Sequence, residues 1–326
     1  MKIKIIVTES IRMLLLLVGV SIFAFVLITK APIDPLTAYV GTENTISQEH
    51  KEEISEYWGL NNPLPERFGK WAKNFVKGDM GESISFKKPV AKVIKERFSN
   101  SIVLMMVSWA LGGILGFILG TICGRYENSI FDRILKTFCL GIKSTPTFWL
   151  GLIMLTVFSV ILNWFPIGMS TPIGKLSSEV TLWDRIYHMI LPTMALTIVG
   201  MSSIFLYTRH KFIDVKHSDF VLYAKTRGET ESQISRRHIL RNIALPAITL
   251  QFASFSELFG GMAMAENVFA YPGIGTATTK AALSGDIPLL LGISVISAIF
   301  VFSGNLIANI LYVIFDPRMR GTKHHA

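Results

Sequence analysis

Residues Ser101–Cys123 read SIVLMMVSWALGGILGFILGTIC, an apolar run without a single charge. A bilayer hydrocarbon core about 30 Å thick needs roughly 20 apolar residues in helical conformation to cross it. This run meets that requirement, and Met13–Thr29, Ser144–Asn163, Met189–Thr208, Ile243–Ala265 and Ile287–Phe315 meet or approach it. Helices in soluble proteins average about 10–14 residues. The runs therefore predict an all-α, polytopic membrane protein with about six transmembrane helices. Composition agrees, since 50% of the 326 residues are hydrophobic and only 17% are charged.

Working outward from these runs, the basic residues give an orientation. With the N-terminus inside, cytoplasmic segments hold Lys2, Lys4 and Arg12, then Arg125, Arg133 and Lys136, eight basic residues from Arg209 to Arg241, and Arg318, Arg320 and Lys323. The short outer loops hold Lys175, Arg185 and Lys280. Lys and Arg accumulate on the cytoplasmic side, which places both termini there. The formal charge of +9 follows from this distribution and implies no nucleic-acid partner. The first run is longer than a signal-peptide core and leads into Lys30-Ala31-Pro32, so it reads as an uncleaved span. The two cysteines, Cys123 and Cys139, form no metal or disulfide pattern and read as small apolar packing residues.

Lys30 to Asn100 is a polar segment placed outside the membrane. Within it Glu49–Trp58 has helical spacing, and Phe68, Trp71 and Phe75 make an amphipathic stripe suited to the membrane interface, a partner, or the protein's own helices. Gly112, Gly116 and Gly120 strip one face of the second span, the pattern of close helix approach. Ionisable residues inside spans are costly. Lys143 can extend to the inner interface. Glu257 in the fifth run is a candidate pathway carboxylate or a buried group paired with a hydroxyl. No second carboxylate or nucleophile accompanies it, so a membrane-embedded enzyme is disfavoured.

The inner loop 209–242 is long, helical around Asp219–Lys225, and broken at Gly228. A second helical patch, Gln233–Leu240, carries Arg236, Arg237 and His238 before Asn242 and Pro246 mark the return to the bilayer. Such a loop suits docking of a cytoplasmic partner. No GxxxxGK[ST] phosphate loop exists in the chain; Gly174-Lys175 is followed by Leu176 and lacks the leading glycine. Any ATP is expected to be hydrolysed by another subunit.

At this loop the chain resembles the inner-membrane permeases of ABC importers, whose signature runs EAAxxxG and then IxLP. Leu222-Tyr223-Ala224 stands at EAA, Gly228 at the glycine, and His238-Ile239-Leu240-Arg241 at IxLP, with departures at Leu222, Tyr223, His238 and Arg241. Further stretches resemble the B-type permeases of dipeptide, oligopeptide and nickel importers. They are Ala31-Pro32-Ile33-Asp34-Pro35, Gly59-Leu60-Asn61-Asn62-Pro63-Leu64, Gly78-Asp79-Met80-Gly81-Glu82-Ser83, Pro146-Thr147-Phe148-Trp149-Leu150, Glu266-Asn267-Val268-Phe269-Ala270-Tyr271-Pro272-Gly273 and Asp316-Pro317-Arg318.

The resemblance implies a type I ABC importer permease fold. Residues 1–96 would hold the first helix and an extracytoplasmic segment, 97–316 the transmembrane domain with its coupling loop, and 317–326 a cytoplasmic tail. It implies a second permease subunit, two ATPase subunits that use ATP and magnesium, and an extracytoplasmic solute-binding protein, with no cofactor in this chain. Leu222, Tyr223, Ala224, Gly228, Arg237 and Arg241 would form the coupling surface toward an ATPase. Arg236–Asn242 and Glu257–Gly261 look closer to nickel permeases, so nickel or a nickel chelate is the favoured solute and peptide the alternative. His50 and His188 alone are expected near the outer face, too few for an all-protein nickel site, and His324-His325 reads as an incidental polar end.

Overall fold

A computed structural model describes residues 2–30, 62–176 and 178–315 of the chain. Several expectations lie outside the described residues. They are the Ala31–Pro35 stretch, the Glu49–Trp58 helix with His50, the Gly59-Leu60-Asn61 start of its motif, Asp316-Pro317-Arg318, and the tail with His324-His325. The described chain is helical apart from one two-residue antiparallel pairing. It forms two compact units, 1–101 with 272–303 and 102–271 with 304–326.

The first unit contains α1 (Lys2–Lys30), α2 (Leu64–Val76), the ladder β1 (Glu82–Ser83) with β2 (Lys88–Pro89), the start of α3 (Val90–Arg125), α11 (Ile274–Leu283) and most of α12 (Ile287–Phe315). Val90, Val93 and Ile94 interlock with Ile274, Ala277 and Ala281 and with Leu289 and Ile293. The aromatic stripe of α2 turns onto the protein itself: Phe25 of α1 lies 5.4 Å from Phe68 and 5.8 Å from Trp71 between ring centres. Asp286, fully buried, accepts the Ser83 hydroxyl at 2.6 Å and the Ser85 amide at 2.9 Å. A buried carboxylate is tolerated when hydrogen bonds replace water, and here they fasten the small ladder beside the start of α12.

The second unit holds the remainder of α3 and α4 (Ile130–Lys143), then α5 (Thr147–Met154), continued by a π-helical stretch Leu155–Ile161. Next come α6 (Leu182–Lys216), α7 (Asp219–Thr226), α8 (Glu231–Ile234), a π-helical turn Ser235–Ile239, α9 (Leu240–Ala253) and α10 (Phe255–Val268). The glycine face of α3 packs on α6: a Cβ at Gly116 would lie 2.8 Å from the Met201 carbonyl oxygen, and one at Gly120 2.8 Å from that of Phe205. Trp109 and Gln251 exchange hydrogen bonds, the indole donating to the Gln251 carbonyl at 3.0 Å and the Gln251 amide donating back at 2.7 Å. Cys123 and Cys139 are free and buried against Met201 and Phe205, consistent with packing roles.

Among the described residues, four helices are long and apolar enough to cross a membrane: Thr8–Lys30, Val90–Arg125, Leu182–Lys216 and Ile287–Ile310. Six result if two bent pairs each count as one span. These are Ile130–Lys143 with Thr147–Ile161, bent by 114°, and Glu231–Ala253 with Phe255–Val268, bent by 48°. One expectation about the inner loop is corrected here: the α6 helix runs on to Lys216, so the residues from Arg209 onward begin as a continuation of that helix and not as loop. The Gln233–Leu240 patch is helical as expected, and α8, the π-helical turn and α9 continue into one another without a break.

Candidate functional site: a docking loop and a membrane-depth cavity

The loop is built on α7. Ser218 opens it, its carbonyl accepting the Val221 and Leu222 amides at 3.0 and 3.1 Å. Arg227 caps the helix, and Gly228 follows at φ +80°. The Gly228 amide then donates to the Lys225 carbonyl at 2.9 Å and the Glu229 amide to the Ala224 carbonyl at 3.2 Å. This pair of bonds is a Schellman ending, and glycine supplies its left-handed residue without steric penalty. The chain restarts at Thr230, where a capping box is closed by Gln233: its amide donates to the Thr230 hydroxyl at 3.4 Å and its side-chain oxygen accepts the Thr230 amide at 2.9 Å. The T-x-x-Q spacing carried this signal in the sequence.

Tertiary packing divides the loop into two faces. Val221 and Ala224 are buried with Phe212 of α6 and with Ile234, Ile239 and Ile243 beyond the turn. Burying a Val or Ile side chain contributes about 1.5–3 kcal/mol relative to exposure, enough to hold α7 against α6. The opposite face presents Phe220, Leu222 and Tyr223, the last two 63% and 65% exposed. Arg227 stands at this face, its guanidinium 6.0 Å from the Tyr223 ring centre, and Arg236, Arg237 and Arg241 are exposed further along the chain. A rigidly held apolar patch with an arginine rim has the make-up of a protein interface.

Two contacts brace the turn: the Lys225–Glu231 ion pair at 2.9 Å and a hydrogen bond between His238 and Glu229 at 3.0 Å. Of the residues read from the sequence, Leu222, Tyr223 and Ala224 lie on α7, and Gly228 follows just past its cap. Ala224 faces the core and not a partner, while Arg237 and Arg241 follow on the next helical stretch. Phe220 and the bracing pairs were not legible, since nothing in their spacing marks them.

Glu257 is placed differently from the paired alternative. It lies in the first turn of α10, exposed, and makes no hydrogen bond or ion pair among the described residues. It lines a cavity of about 250 Å³ together with Ser108, Thr147, Ser203, Gln251 and Ser254. Lys143 ends α4 in an exposed position. His188 is buried, with its Nδ1 2.8 Å from the Asp184 carbonyl oxygen.

A helical chain with several candidate membrane spans and a structured loop between them has the make-up of a transport subunit, and sequence comparison points the same way. Residues 2–107 match the N-terminal model of binding-protein-dependent transport membrane components. The oligopeptide transport system permease protein AppB of Bacillus subtilis is 36% identical over 316 residues, covering 96% of this chain and 98% of that protein. A putative peptide permease protein of Brucella suis is 30% identical over 309 residues, covering 94% and 96%. A chain of the inward-facing methionine ABC transporter MetNI overlays with a TM-score of 0.49 at 16% identity, covering 67% of this chain and 96% of that one. Since residues 116–321, most of the chain, match the remaining model as well, this protein belongs to the family of binding-protein-dependent transport system inner membrane components, multi-pass permease subunits of ABC importers.

Proposed function

We propose that this chain is one of the two permeases of a peptide importer, with both termini in the cytoplasm. The observation that carries the solute is the similarity to AppB across nearly the full length of both chains, together with the peptide permease of Brucella suis. These relatives favour the peptide reading over nickel. The segments that suggested nickel are the coupling stretch Arg236–Asn242 and the start of α10.

In this reading a second permease completes the pathway, and a binding protein delivers the solute on the outer side. Two ATPase subunits use ATP and magnesium. The exposed face of α7, Phe220, Leu222 and Tyr223, seats on an ATPase, with Arg237 and Arg241 at its border. The buried face, through Val221 and Ala224, transmits ATPase closure to α6, because a packed apolar contact moves as a unit. The bends between α4 and α5 and between α9 and α10 supply elements that can change angle during alternating access.

The test is uptake in a strain deleted for this chain, with radiolabelled oligopeptide and radiolabelled nickel measured in parallel. Loss of peptide uptake with nickel uptake unchanged is expected. Loss of nickel uptake alone would return the solute to nickel.

A further inference from the structure

The cavity beside Glu257 sits at a distinctive depth. Ser108 lies at the middle of Val90–Arg125, Gly200 at the middle of Leu182–Lys216, and Ser254 at the break between α9 and α10, and all line it. Three elements long and apolar enough to cross a bilayer thus meet at this space well inside their ends, which places it within the membrane depth and not at its edge. An ionised side chain at that depth is costly unless it meets water or a partner. Glu257 has no partner among the described residues, and it is the single ionisable residue lining the cavity.

The rest of the wall separates into engaged and free groups. Gln251 is tied to Trp109, the Ser254 hydroxyl donates to the Gln251 carbonyl at 2.9 Å, and that of Ser256 donates to Asn305 at 2.9 Å. The hydroxyls of Thr147 and Ser203 make no hydrogen bond among the described residues, so they remain free for a polar solute. One carboxylate with neutral hydroxyls suits a single positive charge. It is a poor site for a divalent metal, which asks for several ligands.

We infer that Glu257 receives the N-terminal ammonium group of a peptide in passage, with Thr147 and Ser203 offering hydrogen bonds to its first amides. This rests on the peptide reading above. The α-ammonium is the one cation that unblocked peptides share whatever their side chains, so a pathway carboxylate aimed at it serves many sequences.

The test uses the whole importer in vesicles: this chain, its partner permease, the ATPases and the binding protein, given one unblocked oligopeptide without Lys or Arg. Uptake is compared for the wild type, Glu257→Asp, Glu257→Gln and Glu257→Lys, normalised to assembled complex. The expected order follows charge. Asp stays within about threefold of wild type, Gln falls about tenfold, and Lys falls further, as loss of a desolvated charge contact requires. Wild-type rates in Gln, equal losses in Asp and Gln, or a loss explained by reduced assembly, as when Glu257 instead pairs with a cation of the second permease, would each overturn the inference. A wild-type importer that moves no peptide would instead fail the peptide reading itself, and the inference with it.

Discussion

The Arg209 guanidinium meets the Asp132 carboxylate at two points, 2.5 Å through Nε and 2.6 Å through its terminal nitrogen, joining α4 to the C-terminal part of α6. Asp132 is 1% exposed and also accepts the Asn128 amide at 3.0 Å. A two-point Arg–carboxylate contact fixes orientation as well as distance. Breaking one side leaves a charge buried without its partner, which costs about 3–5 kcal/mol. Asp132→Ala and Arg209→Leu should each lower thermal stability of the purified permease strongly. The double variant should lose much less than the sum, as a double-mutant cycle by thermal unfolding in detergent would read; additive losses would mean the pair is not coupled.

Gly228 is open to solvent, and a Cβ there would meet nothing within 4 Å, yet its φ is +80°. The penalty for other residues therefore comes from the backbone alone. In the left-handed region it runs to roughly 1–2 kcal/mol, least for Asn and worst for β-branched residues. Gly228→Asn should retain ATPase co-purification, Gly228→Ala reduce it, and Gly228→Val abolish most of it while membrane insertion is kept. If Val behaves as Asn does, the Schellman turn does not set the loop's geometry.

Ala224 and Tyr223 are neighbours facing opposite ways, 3% and 65% exposed. Ala224→Glu places a carboxylate among Val221, Ile234 and Ile239, where an unpaired charge is strongly unfavourable. It should destabilise the loop and abolish ATPase association together. Tyr223→Ala and Leu222→Ala should leave the unfolding temperature unchanged and still weaken ATPase co-purification about tenfold or more, as for the centre of an interface. A drop in stability for Tyr223→Ala would place that side chain in the fold and not in the docking face.

The α3–α6 contact makes a paired prediction. At Gly116 a Cβ would meet the Met201 carbonyl oxygen at 2.8 Å, an atom that cannot move without its helix, whereas at Gly200 it would meet nothing within 4 Å. Gly116→Val should sharply reduce the yield of folded protein by forcing the helices apart, while Gly200→Ala should be tolerated. Fluorescence size-exclusion of tagged variants would check both.

The orientation proposed from the basic residues predicts that reporters fused after Asn128, after Gly228 and at the C-terminus read as cytoplasmic, and those after Glu66 and Leu176 as external. An external reading at Gly228 would exclude an ATPase from α7 and remove the coupling role.

What the sequence determined alone is what short-range chemistry encodes. Apolar run length set the spans, because hydrocarbon thickness fixes how many residues each needs. The glycine spacing of α3 announced a close contact, since a bare face serves little else. Gly228 marked where α7 stops, because caps satisfy local backbone groups. Tertiary structure decided what depends on partners distant in the chain. Asp132 and Arg209 are 77 residues apart and carry no common motif. Pro246 sits inside α9 while the helix breaks at Ser254, whose hydroxyl turns to the Gln251 carbonyl. Glu257 read equally well as a buried pair or a pathway group. Only the packing of α3 and α6 beside that break left its carboxylate facing a cavity without a cation to meet it.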